Sequence, residues 1–347
     1  MPIAVDAMGG DLAPHSAVEG AVRAAAEDGC TILLVGDRAR VEPELRRHGG
    51  GADGRIEVVH AEEVVGMDEP AITPIRKKRR SSLRLCAELV KDGRAQAMVT
   101  AGNTGAALAA AKMVIGTVAG VDRPALAAVL PNARGRTVLL DVGANVDSKP
   151  VHLREFAVMG HFYAQEVIGT PAPRVGLLSV GEEEGKGTDL TREAYRLLRT
   201  TGVNFVGNVE GRDVFSGRAD VIVCDGFVGN AVLKSAEALA EFIRRMLREE
   251  IAGAPGGKLG YLLAKGAFER FRERTDYTEY GGAPLLGING GCFIAHGRSN
   301  AHALQNAVRR AVEFSNARLD RKIRDKIAEL HRQEERLLDG RPGVETG

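Results

Sequence analysis

The chain reads Ala97-Met98-Val99-Thr100-Ala101-Gly102-Asn103-Thr104-Gly105-Ala106-Ala107-Leu108 at its most informative stretch. A short apolar strand passes through small and polar residues into an alanine-rich helix. Similar apolar runs, separated by helical stretches, are Pro2 to Val5, Thr31 to Val35, Ile56 to His60, Thr137 to Leu140, Arg174 to Val180, Val203 to Val206 and Val221 to Cys224. This alternation predicts an α/β fold with a doubly wound, largely parallel sheet, whose ligands gather at the carboxyl ends of the strands.

The composition is typical of a globular enzyme or binding protein. The 347 residues are 44% hydrophobic and 27% charged, which excludes a disordered chain, a collagen and a coiled-coil rod. With 47 Lys and Arg against 46 Asp and Glu, the formal net charge is +1. No overall field therefore attracts nucleic acid. Because no linker separates the strand–helix units, we expect a single domain over residues 1–338.

Neither a cofactor nor a metal is expected. The cysteines, Cys30, Cys86, Cys224 and Cys292, stand far apart, which argues against disulfides and zinc sites. The sequence lacks both the Walker loop and the G-x-G-x-x-G fingerprint of nucleotide sites. It opens on a strand rather than a leader, and no apolar run approaches the ~20 residues of a spanning helix. We therefore expect a cytoplasmic protein whose contact with a membrane is peripheral.

Two helical segments depart from the alternation. Residues 241–274 carry two apolar stripes around a Gly- and Pro-rich breaker, which predicts an amphipathic helical hairpin inserted in the domain. After Ser299, one long amphipathic helix is predicted to run to about Leu338, followed by a disordered tail over residues 339–347.

Glycines and short polar side chains follow two of the predicted strands. Paired glycines let backbone amides approach a phosphate or a thioester oxygen, and a helix start adds partial positive charge. A purely structural turn explains the first of these loops equally well. The candidate ligands are Asp6, Gly9, Gly10 and Asp11 in the first loop, and Asn103, Thr104 and Gly105 in the second.

Three further loops carry candidate functional groups. Asn145 follows Asp141-Val142-Gly143-Ala144, and Asp225 precedes Gly226 and Asn230 in a repeat of the same design. Lys186 stands between two glycines in an acidic loop, where a ligand-binding lysine and an ordinary solvated lysine remain equally open. Residues 281–287 predict one more glycine-rich turn.

The sequence offers no nucleophile for a covalent intermediate. It contains no G-x-S-x-G elbow, and no cysteine lies in an evident oxyanion setting. Loops rich in Gly, Asn and Asp favour direct transfer between two bound substrates, in which the protein positions the reactants and stabilises charge.

Ordered motifs resemble one known family. They are D-A-M-G-G-D, A-G-N-T-G-A, R-P-A-L, L-D-V-G-A-N, G-E-E-E-G-K-G, C-D-G-F-V-G-N-A-V-L-K and Y-G-G-A-P-L-L-G, spread over roughly residues 3–313. In this order they resemble the bacterial phosphate acyltransferases (PlsX). The resemblance implies an α/β/α sandwich like that of isocitrate and isopropylmalate dehydrogenases, related to phosphotransacetylase, and a homodimer.

The resemblance also implies a reaction and its participants. Acyl-acyl-carrier protein and inorganic phosphate would give acyl phosphate for phosphatidic acid synthesis by a downstream membrane glycerol-3-phosphate acyltransferase. Lys186 and Asn230 would hold phosphate and polarise the thioester carbonyl. Asn103 and Thr104 would cradle phosphate. The remaining candidates, Asp6, Gly9, Gly10, Asp11, Gly105, Asn145 and Asp225, would line the cleft.

Two surfaces are predicted to meet partners. The basic run Lys77, Lys78, Arg79 and Arg80 is a candidate docking patch for the acidic carrier protein, although a solvated helix end is also open. Leu259, Leu262 and Leu263 on the hairpin are candidate contacts with an anionic membrane.

Other functions remain open at this point. They are a phosphotransacetylase-like enzyme that uses acyl-coenzyme A, a nicotinamide-dependent hydroxyacid dehydrogenase, and a catalytically silent membrane scaffold.

Overall fold

The structure, a computed structural model, describes residues 2–50, 54–275 and 281–339. Its strands are β1 (Ile3–Asp6), β2 (Ile32–Gly36), β3 (Ile56–His60), β4 (Ala97–Thr100), β5 (Ala125–Asn132), β6 (Gly135–Leu140), β7 (Val175–Leu178), β8 (Phe205–Val209), β9 (Val221–Val223), β10 (Ala283–Leu286) and β11 (Gly291–Ile294).

Helices connect these strands. They are α1 (His15–Glu27), α2 (Arg38–Arg47), α3 (Thr73–Lys77), α4 (Ser82–Lys91), α5 (Thr104–Ala110), α6 (Pro150–Glu166), α7 (Asp189–Leu198), α8 (Asp213–Ser216), α9 (Gly226–Gly253), α10 (Gly257–Thr275), α11 (Ala301–Ala317) and α12 (Leu319–Asp339). A π-helical turn, Ala111–Ile115, continues α5.

The strands form one sheet of 11 strands in the order β3-β2-β1-β4-β11-β10-β5-β6-β9-β7-β8. All neighbouring pairs are parallel except the three consecutive pairs β11–β10, β10–β5 and β5–β6. The prediction of a doubly wound, largely parallel sheet is therefore confirmed. The antiparallel pairs reverse the direction of the sheet, so β6, β7 and β9 run opposite to β1, β4 and β11. The carboxyl ends of these two groups of strands therefore lie at opposite edges of the sheet.

Helices cover both faces of the sheet, which makes an α/β/α sandwich. On one face lie α1, α6 and α11, with α12 packed against α6, and on the other face lie α4, α5 and α8. Alternate residues of a strand enter opposite cores, as Ile3 and Ala4 show, and both side chains are fully buried. Burial on both faces of the sheet explains why these strands appear as continuous apolar runs in the sequence.

Three strands differ from the prediction. The run 281–287 contains β10 rather than only a turn, because Pro284 pairs with Phe293 of β11 in an antiparallel ladder. β5 is rich in alanine and was not predicted, nor was β11. Each of these strands also pairs with a distant segment, β5 with β10 and β11 with β4, so a local pattern alone does not specify them.

The two predicted helical segments are present with different bounds. The hairpin consists of α9 and α10, and its first arm begins at Gly226 instead of 241. The carboxyl-terminal segment is two helices, because Arg318 adopts a left-handed conformation (φ 47°) between α11 and α12. Asp339, the first residue of the predicted tail, is the last residue of α12, and the rest of that tail, residues 340–347, lies outside the described residues.

Glu155 on α6 predicts a pH dependence of stability. Its carboxylate is 2% exposed and accepts a hydrogen bond from the Asp122 N–H at 3.2 Å. Burial raises the pKa of Glu155 from 4.5 to about 7. The folded state therefore holds a proton that the unfolded chain releases, so this residue lowers the free energy of unfolding as the pH rises from 4.5 to 7.

Glu155→Gln should remove that decline, which we expect to amount to about 3 kcal/mol. Urea unfolding of wild type and variant between pH 4.5 and 8 measures the difference, with Glu193→Gln on the exposed face of α7 as the control. Parallel pH profiles for wild type and Glu155→Gln would contradict the assignment.

Candidate functional site

One cavity lies over the face of the sheet at its antiparallel centre. Its volume is about 630 Å³, and its walls come from β5, β10, β11 and the first half of α9. Thr104, Asn230 and His296 all line this cavity, although they follow β4, β9 and β11 and so leave the sheet at opposite edges. The face of the sheet, and not one edge, therefore brings these groups together.

The loop after β1 is built for close backbone approach. A Cβ at Gly9 would lie 2.6 Å from Asp6 Oδ2 and 2.7 Å from the Gly102 nitrogen, so only glycine fits between the two loops. Asp6 is 3% exposed, and its carboxylate accepts hydrogen bonds from Thr100 Oγ1 at 2.8 Å and the Met8 N–H at 3.1 Å. Burial raises the pKa of Asp6 above its usual value, against these hydrogen bonds. Asp6 therefore holds the loops after β1 and β4 together.

The neighbouring loop residues have different surroundings. Gly10 has a φ of +99°, a conformation that favours glycine. Asp11 is exposed, and its backbone N–H donates to the Gly297 carbonyl at 2.8 Å.

The side chain of Asn103 forms hydrogen bonds with other groups of the protein. Its Oδ1 accepts the Ala106 N–H at 2.9 Å and so caps α5, while Nδ2 donates to the carbonyls of Met67 at 2.8 Å and Glu69 at 2.9 Å. The side chain thus fixes the start of α5 against the 66–69 loop. Thr104, the next residue, is exposed and lines the cavity, and it is the better candidate for a direct contact with phosphate.

The loop after β6 is organised by Asp141, which the list of candidate residues omitted. This carboxylate is fully buried and accepts N–H groups from Leu126 at 2.9 Å, Ala144 at 3.0 Å and Asn145 at 2.7 Å. Burial raises its pKa above the usual value. Asn145 is also buried, and its amide donates to the Pro124 carbonyl at 2.7 Å. Asn145 is therefore part of the scaffold beneath the cleft.

The start of α9 is pressed against this loop. Asp225 caps the helix by accepting the N–H groups of Phe227 and Val228 at 3.0 Å each. A Cβ at Gly229 would lie 1.9 Å from the Asp141 carbonyl oxygen, so glycine is required there. This contact places the exposed Asn230 beside Gly143 and at the cavity wall. Within the described part of the chain, the Asn230 amide has no hydrogen-bond partner.

A protein-family model described as "Fatty acid synthesis protein" matches residues 1–322 of this chain. The chain belongs to that family. The family resemblance given by the ordered motifs is thereby confirmed.

Curated relatives of this family member cover nearly its whole length. The phosphate acyltransferase of Trichlorobacter lovleyi is 53% identical over 330 residues, which are 95% of each chain. The phosphate acyltransferase of Geobacter sulfurreducens is 52% identical over 328 residues, 94% of each chain.

Solved structures of phosphotransacetylases share the fold of this family member. The enzyme from Streptococcus pyogenes superposes with a TM-score of 0.61 at 18% identity, covering 91% of this chain and 94% of that one. The EutD phosphotransacetylase of Staphylococcus aureus gives a TM-score of 0.57 at 16% identity, covering 93% and 94%. At these identities the similarity shows the fold alone.

Lys186 does not line the cavity. It follows β7, the neighbour of β9 in the parallel part of the sheet, so its loop leaves the same edge as Asn230. The side chain is exposed, and its ammonium has no hydrogen bond or ion pair among the described residues. The structure therefore does not bring Lys186 to the cavity, and its proposed role stays a prediction.

The basic run divides into paired and unpaired side chains. Lys78 Nζ binds Glu69 and the Val64 carbonyl, and Arg80 pairs with Glu62 at 2.9 Å. Lys77 and Arg79 are exposed, without a partner in the part of the chain that the structure describes. They are the cations of this patch available to a partner.

Two lining residues were missed by the sequence analysis. His296 follows β11, which the local pattern did not reveal; its Nδ1 accepts the Arg298 N–H at 3.2 Å. Lys234 lies one turn after Asn230, in a motif of which only Asp225 and Asn230 were selected, and it pairs with Glu237 at 2.8 Å. The G-N-A-V-L-K spacing could have identified Lys234.

A possible metal-binding group lies elsewhere. His15, Glu19 and His48 have ligand atoms within 4.8 Å of one another, on α1 and just after α2. His15 already forms a hydrogen bond within the protein, because its Nδ1 lies 3.0 Å from Glu44 Oε2.

Proposed function

We propose that the protein transfers the acyl group of acyl-acyl-carrier protein to inorganic phosphate, which yields acyl phosphate and free carrier protein. The observation that carries this proposal is the cavity in which Thr104, Asn230 and His296 meet an apolar groove. Relatives named phosphate acyltransferase support the same activity. The product is a precursor for phospholipid synthesis by a membrane acyltransferase.

The reaction needs positioning and charge stabilisation more than a protein nucleophile. A phosphate oxygen forms a bond to the thioester carbon, negative charge develops on the carbonyl oxygen, and the carbon–sulfur bond breaks. The thiolate that leaves takes up a proton. We assign the Asn230 amide to the developing oxyanion, since preorganised donors in such a site lower the barrier most.

Phosphate and the departing sulfur have separate candidate partners. We assign the Thr104 hydroxyl and the Lys186 ammonium to the binding of phosphate. In this proposal Lys186 reaches the cavity when substrate is bound. We assign His296, at the wall of the same cavity, to a contact with the departing sulfur, and the proton that the thiolate takes up is the one that hydrogen phosphate loses when its oxygen bonds to the thioester carbon.

Acyl phosphate formation by the purified protein tests the proposal. Incubation with hexadecanoyl-carrier protein and phosphate should yield hydroxylamine-trappable acyl phosphate and free carrier thiol in equal amounts. A parallel incubation with hexadecanoyl-coenzyme A separates the proposed enzyme from a phosphotransacetylase-like one. Thioester that stays intact in both incubations would refute the function.

The unpaired cations of the basic patch are the proposed contact for the acidic carrier protein. Lys77→Glu together with Arg79→Glu should raise KM for acyl-carrier protein about tenfold at low salt, because screened surface charges act mainly on association. Activity on a small acyl thioester should stay the same.

Steady-state kinetics at several salt concentrations measure this effect. Arg332→Glu, an exposed charge reversal on α12, is the control. An equal loss on carrier-bound and small thioesters would refute the docking role.

A second copy of the chain is the proposed partner of the hairpin shaft. Phe242 and Met246, one helical turn apart on α9, are each more than 40% exposed. A contiguous apolar surface of this kind favours a protein interface, and α9 continues directly from the site at Asn230. A homodimer would cover this face, and light scattering of the eluted protein measures its mass.

The far end of the hairpin is the proposed contact with an anionic membrane. No helix among the described residues is long and apolar enough to cross a bilayer. Leu259, Leu262 and Leu263 on α10 are 63%, 66% and 82% exposed, and each buried leucine contributes ~1.5–3 kcal/mol. Reversible peripheral attachment needs only a few such side chains, assisted by nearby basic groups.

Replacing Leu259 and Leu262 with glutamate should abolish co-sedimentation with vesicles that contain anionic lipid. Acyl phosphate formation from soluble substrate should persist. Met113→Glu, at an exposed apolar side chain outside the hairpin, controls for added charge. Vesicle binding that survives the double substitution would contradict this contact.

A further inference from the structure

The cavity continues away from its polar residues as an apolar groove with two walls. Leu126, Ala128 and Leu130 of β5 point to the same face of the sheet, because they alternate along the strand, and they form the floor. The opposite wall is a single stripe of α9 with helical spacing. Its members are Leu233, Ala236, Leu239, Ala240 and Ile243.

The charges along the groove do not form a site for a polar ligand. Glu237 is paired with Lys234 at 2.8 Å, and Arg244 Nε donates to the Ala240 carbonyl at 3.3 Å. The remaining lining is aliphatic or aromatic, with Phe215 and Phe271 among it. Burying a charged ligand against such walls is costly, whereas a hydrocarbon gains from leaving water. The groove therefore favours an unbranched apolar chain.

The dimensions of the groove agree with a long chain. The α9 stripe extends from Asn230 to Ile243, which is about 20 Å at a rise of 1.5 Å per residue. An extended chain advances about 1.2 Å per covalent bond, so the stripe spans about 16 bonds. The cavity volume of about 630 Å³ lies in the range of small-molecule sites.

We propose that this groove binds the acyl chain of the thioester, with the carbonyl carbon beside Asn230 and the methyl end toward Ile243. This inference rests on the proposed function. The two alanines of the stripe, Ala236 and Ala240, are then the positions that set the longest accepted chain. Along α9 they lie about 9 Å and about 15 Å from Asn230, equivalent to about 7 and about 12 bonds.

Phenylalanine at these two positions should shorten the accepted chain by different amounts. Ala240→Phe should lower kcat/KM at least about tenfold for hexadecanoyl thioester and leave decanoyl and hexanoyl thioesters unchanged. Ala236→Phe should lower kcat/KM for both hexadecanoyl and decanoyl thioesters and spare the hexanoyl one. Ala238→Phe, on the exposed side of the same helix, is the matched control and should change none of the three.

A binding measurement separates failure of this inference from failure of the proposed function. A fluorescent hexadecanoic acid probe should bind wild type and Ala238→Phe, and bind Ala236→Phe at least about tenfold more weakly. This readout requires no turnover, so it tests the groove even if wild type forms no acyl phosphate. If a phenylalanine variant fails to fold, leucine at the same position should shorten the accepted chain in the same order, with Ala236→Leu more restrictive than Ala240→Leu, and with smaller effects.

Several outcomes would overturn the proposal. Three results would contradict the assigned position of the chain. The first is an equal loss of kcat/KM at every chain length, and the second is an unchanged chain-length profile. The third is a shorter maximum chain length for Ala240→Phe than for Ala236→Phe. If the stripe instead receives a second copy of the chain, Ala236→Phe should dissociate the dimer in light scattering and leave chain-length preference and probe binding unchanged, which would also refute it.

Discussion

Asn230→Ala should lower the turnover of acyl phosphate formation about a hundredfold, the effect expected when one preorganised donor is removed from a site where charge develops. The loss of turnover should not come from a loss of folding. Asn230 is exposed at the cavity wall, and its amide has no hydrogen bond within the described residues. The free energy of unfolding should therefore change little.

Single-turnover kinetics with excess enzyme measure the chemical step for this variant. Asn204→Ala, an exposed amide on the far part of the sheet, is the control and should keep full activity. Lys186→Ala should cause a loss of similar size, accompanied by weaker saturation with phosphate, because an ammonium is removed. Near-native turnover and unaltered phosphate saturation in both variants would refute these roles.

Asp141→Ala should be the most destabilising of the substitutions considered, lowering the free energy of unfolding by about 4 kcal/mol or more. The variant leaves the buried N–H groups of Leu126, Ala144 and Asn145 without their acceptor. Each unpaired buried donor costs ~1–3 kcal/mol. Because the same loop supports the start of α9, activity should fall as well.

Asp141→Asn, which keeps one acceptor oxygen, should recover part of the stability. Asp147→Ala removes an exposed carboxylate from the same loop and is the control. Urea unfolding followed by circular dichroism measures all three variants. A loss below about 1 kcal/mol for Asp141→Ala would show that water replaces the carboxylate as acceptor.

Most of the parallel strands were predictable from sequence because their apolar runs are local. β3 and β4 have the predicted bounds, β2 is shifted by one residue at both ends, and β9 ends one residue early. β5, β10 and β11 were not predictable in this way. Alanine and proline are poor strand formers, and antiparallel pairing with the following strand β11 and with the distant strand β5 makes a strand of Ala283–Leu286.

The positions of the polar loop residues were predictable from local sequence, whereas their roles depend on the tertiary structure. Local sequence places Asn103, Asn145 and Asn230 after strands, and all three are there. Whether an amide faces the protein or the cleft depends on which carbonyls the fold brings near it. Asn103 and Asn145 donate to carbonyls of distant segments, whereas the Asn230 amide is left at the cavity wall.

The sequence by itself determined the α/β class, the hairpin and the family, because these depend on periodicity and on ordered motifs. Only the tertiary structure decided where the site lies. Three antiparallel pairs reverse the sheet at its centre, so Thr104 and Asn230 leave it at opposite edges and meet over its face. Two of these pairs are hairpins between strands adjacent in the chain, but the third, β10 with β5, joins segments far apart in the chain, and no local pattern encodes that pairing.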